Sequence, residues 1–165
     1  EVKMSDFLQN YVEDNPGPIV SLDGKVLGEH RGLHLYTLGQ RKGIGVPSNT
    51  YREAYVVVSK RTEKNELVVG FDRKDTPCLY ASRCTVGSLS FVNKKPTEGE
   101  EILAQPRYRT PAVAVSFNYI GSDNDSIDLV FENPQRAITP GQVCAFYSGE
   151  VLLGGGVFEL VDYAK

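Results

Sequence analysis

The sequence predicts a mainly β protein that opens with one short helix and continues as two small β-rich domains. Short apolar runs separated by glycine, proline and charged residues recur about every ten residues, a spacing typical of small barrels and sandwiches. A helical period occurs only near the start. The 165 residues, 41% of them hydrophobic, exclude a disordered chain.

The predicted helix begins at Ser5, whose side chain is a good N-cap, and Asp6 suits the first turn. The sequence Asn-Pro-Gly-Pro at residues 15–18 ends it. Its apolar side chains share one face at helical spacing: Phe7, Leu8, Tyr11 and Val12.

Two hairpins are predicted in the first domain. Asp23-Gly24 is a strong hairpin signal between the apolar runs at 19–22 and 26–27. A polar stretch at 61–65 separates the runs at 54–58 and 67–69. Residues 33–38 alternate and suggest a further strand. The charged segment 72–77 reads as a linker, so we expect domains at 1–77 and 78–165.

The second domain repeats the same pattern of short strands and turns. The predicted strands lie around residues 86–92, 102–104, 112–120, 127–131, 144–147 and 151–153. Polar loops at 121–125 and 148–150 join the later ones. This second half therefore forms either a small barrel or a sandwich.

Charge and cysteine content restrict the function classes. With 18 basic and 21 acidic side chains the net charge is -3, so any nucleic acid must bind to a local patch. Cys78, Cys84 and Cys144 are an odd count without metal spacing, which fits a reducing cytosol. The apolar residues are too scattered for a membrane span, and we expect a cytoplasmic protein without membrane partners.

Two glycine-rich segments and a histidine pair have both functional and structural interpretations. Arg41 and Lys42 in the glycine-rich loop 39–45 suit a phosphate, but a plain turn is favoured on spacing alone. His30 and His34 lie too far apart along a strand for one metal, and we predict no metal site. The glycines at 154–156 indicate a bulge or a close backbone approach.

Residues 107–109, Arg-Tyr-Arg, lie between two prolines and combine guanidinium groups with an aromatic ring. This combination suits contact with RNA phosphate and stacking on a base, while an exposed edge strand explains it equally well. The loop at 134–142 is stiffened by two prolines and presents Arg136 and Gln142. No nucleophile–base arrangement stands out, so we predict no catalytic residue in this chain.

Ordered motifs give the chain a specific resemblance. Residues 28–43 (GEHRGLHLYTLGQRKG) resemble the central signature of the tRNA-specific 2-thiouridylases. Residues 107–109, 138–142 (ITPGQ) and 149–156 (GEVLLGGG) resemble the C-terminal signatures of that family, in the same order. The opening residues 4–8 resemble its helix, and the similarity covers essentially the whole chain.

The resemblance implies a β-rich central domain followed by an antiparallel β-barrel. The full enzyme would 2-thiolate the wobble uridine of tRNAs of the Lys, Glu and Gln type. ATP and Mg²⁺ would be used in an N-terminal ATP-pyrophosphatase domain, and a persulfidic cysteine would deliver the sulfur. That domain and both catalytic cysteines would be absent here, so the chain alone would bind no cofactor and be inactive. A cysteine desulfurase or sulfur carrier protein would be the sulfur donor.

The resemblance also implies site residues. Arg107, Tyr108 and Gln142 would contact tRNA as one patch, and Arg41, Lys42 and Arg109 are further candidates for tRNA or domain contact. Because alternation in a regular strand would turn Tyr108 away from Arg107, we expect that Pro106 or Pro111 ends regular pairing there, or that Tyr108 reaches RNA through its hydroxyl alone. The chain departs from the family at Gln105, where lysine is common, and at Thr110, where glutamine often follows. These departures suggest two lost RNA contacts.

A second function remains open at this point. Small barrels of this kind also occur in translation factors, and such a barrel docks on protein rather than RNA. Dependence on salt separates the two, because phosphate contacts release counterions.

Overall fold

The computed structural model describes residues 11–48, 53–92 and 94–163. Two compact units make up the chain, Glu1–Leu79 and Tyr80–Lys165. The predicted β class is confirmed. The helix predicted from Ser5 falls mainly on residues outside the described ranges, and its last residues, Tyr11 and Val12, lie in a turn and a bend. No α-helix is seen among the described residues, and none of their helical segments could cross a membrane.

The first unit holds a four-stranded sheet in the order β2-β1-β4-β3. Both predicted hairpins are confirmed, and β1 runs parallel to β4 between them. Asn65 takes a left-handed conformation, φ 51°, which asparagine tolerates in a turn. The strands are β1 Gly17–Ser21, β2 Val26–His30, β3 Tyr55–Arg61 and β4 Glu66–Phe71.

The strand suggested for residues 33–38 is wrong. Leu33–Leu35 form one 3₁₀ turn, and the chain then runs as an irregular segment to residue 48. Apolar side chains of this segment pack on the sheet, and Tyr36 and Ile44 are buried in its core. Apolar residues here occupy both odd and even positions. A strand would therefore expose apolar side chains on whichever face met solvent.

One part of this irregular segment covers the edge of the sheet. The N–H of Gly39 donates to the carbonyl of Val57 (2.8 Å), and the N–H of Val57 donates to the carbonyl of Gln40 (3.0 Å). The side chain of Gln40 braces the loop, accepting from the N–H of Thr37 and donating to the carbonyl of Lys42. The glycine-rich motif is thus an edge cover for β3.

The second unit is a closed barrel in the order β10-β5-β8-β7-β6-β9, and all of its neighbouring strands are antiparallel. The antiparallel barrel implied by the resemblance is therefore confirmed. All six strands predicted for this domain are present, and all except β7 are longer than the apolar runs suggested. They are β5 Tyr80–Phe91, β6 Ile102–Gln105, β7 Val113–Ile120, β8 Ser126–Arg136, β9 Val143–Ser148 and β10 Val151–Tyr163.

The barrel is filled by side chains from alternate positions of its strands. Ile127, Leu129 and Phe131 of β8 face Phe146 of β9 and Phe158 of β10 in the core. The glycines at 154–156 lie where β10 bulges, which confirms the predicted close approach. A Cβ at Gly156 would lie 2.6 Å from Val86 Cγ1 and 2.7 Å from the carbonyl oxygen of Gly87.

Candidate functional site

The Arg-Tyr-Arg segment forms a tight turn between β6 and β7. Strand β6 ends at Gln105, and Pro106 follows it, which confirms that regular pairing stops there. The N–H of Thr110 donates to the carbonyl of Arg107 at 3.1 Å and closes the turn. Because the segment is not an extended strand, the alternation of side chains expected for residues 107–109 does not apply.

Arg109 occupies an unfavourable position in this turn. Its φ is 66°, a left-handed conformation that costs a non-glycine residue about 1 kcal/mol. Its guanidinium lies over the ring of Tyr108, 5.3 Å from the centroid. The Tyr108 side chain is 83% exposed, so the other face of the ring is open to solvent. An exposed aromatic ring backed by a cation is a suitable platform for a nucleobase.

Arg107 is half-buried and takes part in no ion pair among the described residues. Its carbonyl oxygen also accepts a hydrogen bond from the hydroxyl of Thr110 at 2.6 Å. Its guanidinium therefore keeps its charge available at the turn, as a phosphate contact requires.

The Thr-Pro-Gly-Gln loop is fixed through its backbone. The N–H of Gly141 donates to the carbonyl of Phe158 (2.8 Å), and the N–H of Phe158 donates to the carbonyl of Gln142 (2.9 Å). The N–H of Gln142 donates to the carbonyl of Thr139. The half-buried amide side chain of Gln142 has no partner among the described residues, so it is free to bind a ligand.

Topology places the two loops at one end of the barrel. Gln105, the last residue of β6, lies opposite Ala145 near the start of β9. Since β6 and β9 are antiparallel neighbours, the turn after Gln105 and the loop before Val143 leave the barrel on the same side. The structure thus brings Arg107, Tyr108 and Gln142 to a common end; their contact with RNA stays a prediction.

Charge differs sharply between the two ends of the barrel. The end with loops 106–112 and 137–142, here the basic end, has Arg107 and Arg109 and no carboxylate in those loops. Arg136 ends β8 there, and the exposed Glu132 and Asp162 lie in the adjoining parts of β8 and β10. The opposite end, here the acidic end, has connections 92–101, 121–125 and 149–150. Those connections carry two lysines, Lys94 and Lys95, and six carboxylates: Glu98, Glu100, Glu101, Asp123, Asp125 and Glu150. The two loops that carry the candidate contacts are therefore basic, although the chain as a whole has a net charge of -3.

The loop of Arg41 and Lys42 lies in the other unit and is only partly available. Arg41 pairs with Asp72 at 3.2 Å, whereas Lys42 is exposed and unpaired among the described residues. The N–H groups of Gly39 and Gln40 donate to carbonyl oxygens of Val57 and Thr37. Two amides of the loop and Arg41 are thus engaged within the protein, whereas Lys42 is a cation without a partner among the described residues.

The two histidines differ in their contacts. His30 is buried, and its Nε2–H donates to the carbonyl of Asn65 at 3.0 Å. Its Nδ1 and the Nε2 of His34 have no partner among the described residues. Within the described ranges, no three His, Cys, Asp or Glu side chains are grouped to hold a metal ion.

The cysteines differ in environment. Cys84 and Cys144 are buried in the barrel core. Burial raises the pKa of Cys84 to about 12 and also raises that of Cys144, since a thiolate there would lose its hydration. Both are therefore neutral thiols near pH 7 and poor nucleophiles. Cys78 is half-buried and precedes β5.

Comparison with known proteins identifies both units. The model of the tRNA methyl transferase PRC-barrel domain matches residues 5–71, and that of the aminomethyltransferase β-barrel domain matches residues 81–158. Three similar proteins are each described as tRNA-specific 2-thiouridylase MnmA. The relative from Akkermansia muciniphila is 48% identical over 98% of the chain. Those from Microcystis aeruginosa and Shewanella sp. are 43% and 40% identical over 93% and 96% of it.

These relatives are much longer than the chain. The matched region is 44% of the Akkermansia protein, 42% of the Microcystis protein and 43% of the Shewanella protein. The chain therefore spans less than half the length of the relatives it matches.

Proposed function

The chain belongs to the family of the tRNA-specific 2-thiouridylases, and we propose that it is the tRNA-binding portion of such an enzyme. The observation that carries this proposal is the basic end of the barrel. There Arg107 and Arg109 supply charge for phosphates, Tyr108 supplies an open ring for stacking, and Gln142 supplies a free amide for a base edge. This set suits an unpaired, splayed loop of RNA better than a duplex.

The chemistry belongs, in this proposal, to the part of the enzyme beyond this chain. There ATP and Mg²⁺ would activate the C2 oxygen of the wobble uridine, and a persulfide supplied by a cysteine desulfurase or sulfur carrier would deliver sulfur. The buried, neutral thiols of Cys84 and Cys144 support this division, as does the pairing of Arg41 with Asp72 in the glycine-rich loop. The substrates would be tRNAs of the Lys, Glu and Gln type, in the cytoplasm.

The two units have different roles in this proposal. We assign RNA recognition to the barrel and a supporting contact, through Lys42, to the first domain, with the boundary near Pro77. The domain models that match the chain mention methyl transfer in their descriptions, whereas the relatives named above are thiouridylases. The relatives favour thiolation, because each of them matches both domains within one protein.

The decisive experiment is a titration of a fluorescent RNA stem-loop, with unpaired uridines in its loop, by the chain at several salt concentrations. Changing Arg107 and Arg109 together to Gln should weaken binding and lower the salt slope by about 0.7 for each lost phosphate contact. The matched control changes Lys94 and Lys95, at the acidic end, to Gln and should leave affinity unchanged.

Equal losses of RNA affinity in the two double variants would mean that the RNA binds by non-specific charge attraction. Absence of binding at low salt, together with salt-independent binding to a protein, would favour the docking module instead. The chain alone, given ATP and a persulfide donor, should leave the tRNA unthiolated. Thiolation by the chain alone would show that its own residues carry out the reaction.

A further inference from the structure

Three polar side chains outside the proposed contact set hold the turn that presents Tyr108. The amide of Gln105 donates to the carbonyl of Thr110 at 2.6 Å and accepts from the hydroxyl of Tyr147 at 3.3 Å. The hydroxyl of Thr110 donates to the carbonyl of Arg107 at 2.6 Å. We call Gln105, Thr110 and Tyr147 the Gln105 network.

The network ties the turn to a rigid part of the barrel. Tyr147 lies within β9, paired with Leu103 of β6 and Leu152 of β10. Gln105 is itself the last residue of β6 and lies opposite Ala145. The hydrogen bonds therefore run from two paired strands into the far side of the turn, beyond Tyr108 and Arg109.

The turn needs this support because its own sequence does not favour its shape. Arg109 lies at φ 66°, where glycine or asparagine is usual, and the backbone of residues 107–110 contributes only one closing hydrogen bond. Without outside bonds the segment would sample other conformations, in which Arg109 no longer lies over the Tyr108 ring. A bound RNA would then have to order the turn at the expense of affinity.

We propose that Gln105 is a positioning residue for RNA binding: through Thr110 and Tyr147 it holds the turn in the conformation that presents Tyr108 and Arg107. This inference rests on the proposed RNA-binding function of the basic end. It also explains the two departures from the family pattern. Gln105 and Thr110 were expected to mean lost RNA contacts, whereas the structure shows them bonded to each other within the turn.

The chain contains no tryptophan, so Tyr108→Trp would place a single indole reporter on the turn. The fast decay of its fluorescence anisotropy measures local freedom of the turn without RNA. Gln105→Met keeps the length of the side chain but removes its hydrogen bonds. Combined with Tyr108→Trp, it should increase the amplitude of the fast decay.

Affinity is measured separately, with Tyr108 intact, using the same RNA stem-loop. Gln105→Met and Tyr147→Phe should each weaken binding about two- to tenfold, the range for one neutral hydrogen bond. Tyr119→Phe is the matched control, because the Tyr119 hydroxyl donates to the carbonyl of Pro96 (2.7 Å), away from the basic end. It should lower the free energy of unfolding about as much as Tyr147→Phe but leave RNA affinity and the reporter unchanged.

The outcomes separate the inference from the function on which it rests. An equally immobile indole with and without Gln105→Met would overturn the inference, as would loosening of the same size by Tyr119→Phe. A looser turn with unchanged RNA affinity would overturn it too. The unmodified chain could bind no RNA while the indole still responds to Gln105→Met. In that case the proposed function is wrong, but Gln105 does restrict the conformation of the turn.

Discussion

Replacing Tyr108 by alanine tests whether the basic end of the barrel binds RNA by stacking. The side chain is 83% exposed and contacts Arg109 on one face, so its loss leaves no cavity in the barrel. We therefore expect the free energy of unfolding to change by no more than about 0.5 kcal/mol. Any loss of affinity then reports on the RNA contact and not on folding.

The size of the loss follows from the geometry of the ring. Because the Arg109 guanidinium lies 5.3 Å from the ring centroid on one side, only the other face can take a base. One stacked base contributes about 1–3 kcal/mol, which corresponds to about a 5- to 150-fold weaker Kd for Tyr108→Ala. The slope of affinity against salt should stay the same, since no charge is removed.

Tyr108→Phe distinguishes the ring from the hydroxyl. If the ring stacks, the phenylalanine variant should bind within about twofold of the unmodified chain, because every base can stack on either ring. The assay is the anisotropy titration of the RNA stem-loop, with urea unfolding as the stability control. A phenylalanine variant as weak as the alanine variant would mean that Tyr108 acts through its hydroxyl, and undiminished binding by Tyr108→Ala would refute the stacking platform.

Two further predictions concern the barrel core. The Cys84 pKa is raised from 9.0 to about 12, so the unfolded state loses its thiol proton first as pH rises. The free energy of unfolding should therefore fall between about pH 9 and pH 12, by at most about 1.4 kcal/mol per pH unit from this thiol. Measured by urea unfolding, the free energy of Cys84→Ala should fall less steeply with pH. Equal slopes against pH in the two proteins would contradict the burial argument. Gly156→Ala should destabilise the barrel by about 1–3 kcal/mol, because the new Cβ would lie 2.7 Å from the backbone oxygen of Gly87. An unchanged midpoint of urea unfolding would show instead that β10 can shift to accept the methyl group.

Local signals predicted the hairpins well. Asp23-Gly24 and the polar stretch before Glu66 are turn signals whose conformations depend on few neighbours, and both hairpins formed as expected. Strand β8 was predicted from the apolar run at 127–131 after a polar loop, and Ile127, Leu129 and Phe131 face the barrel core. Prediction failed at residues 33–38, where the side chains are buried by an irregular segment whose path depends on the sheet beneath it.

The site was predictable only in part. The resemblance supplied Arg107, Tyr108 and Gln142, but their common position depends on β6 lying beside β9, a pairing between strands far apart in sequence. The separation of charge between the barrel ends depends on the same strand order. Tyr147 could not be associated with Gln105 from the sequence, because 42 positions separate them.

The cover that Gly39 and Gln40 place on β3 bears on how the chain behaves in a crowded solution. An uncovered outer strand exposes backbone donors and acceptors that invite a strand from another molecule. With the N–H and carbonyl of Val57 already occupied, β3 offers no register there to an incoming chain. Removing this cover would expose the Val57 N–H and carbonyl at the edge of the sheet, and self-association through β3 is the expected consequence.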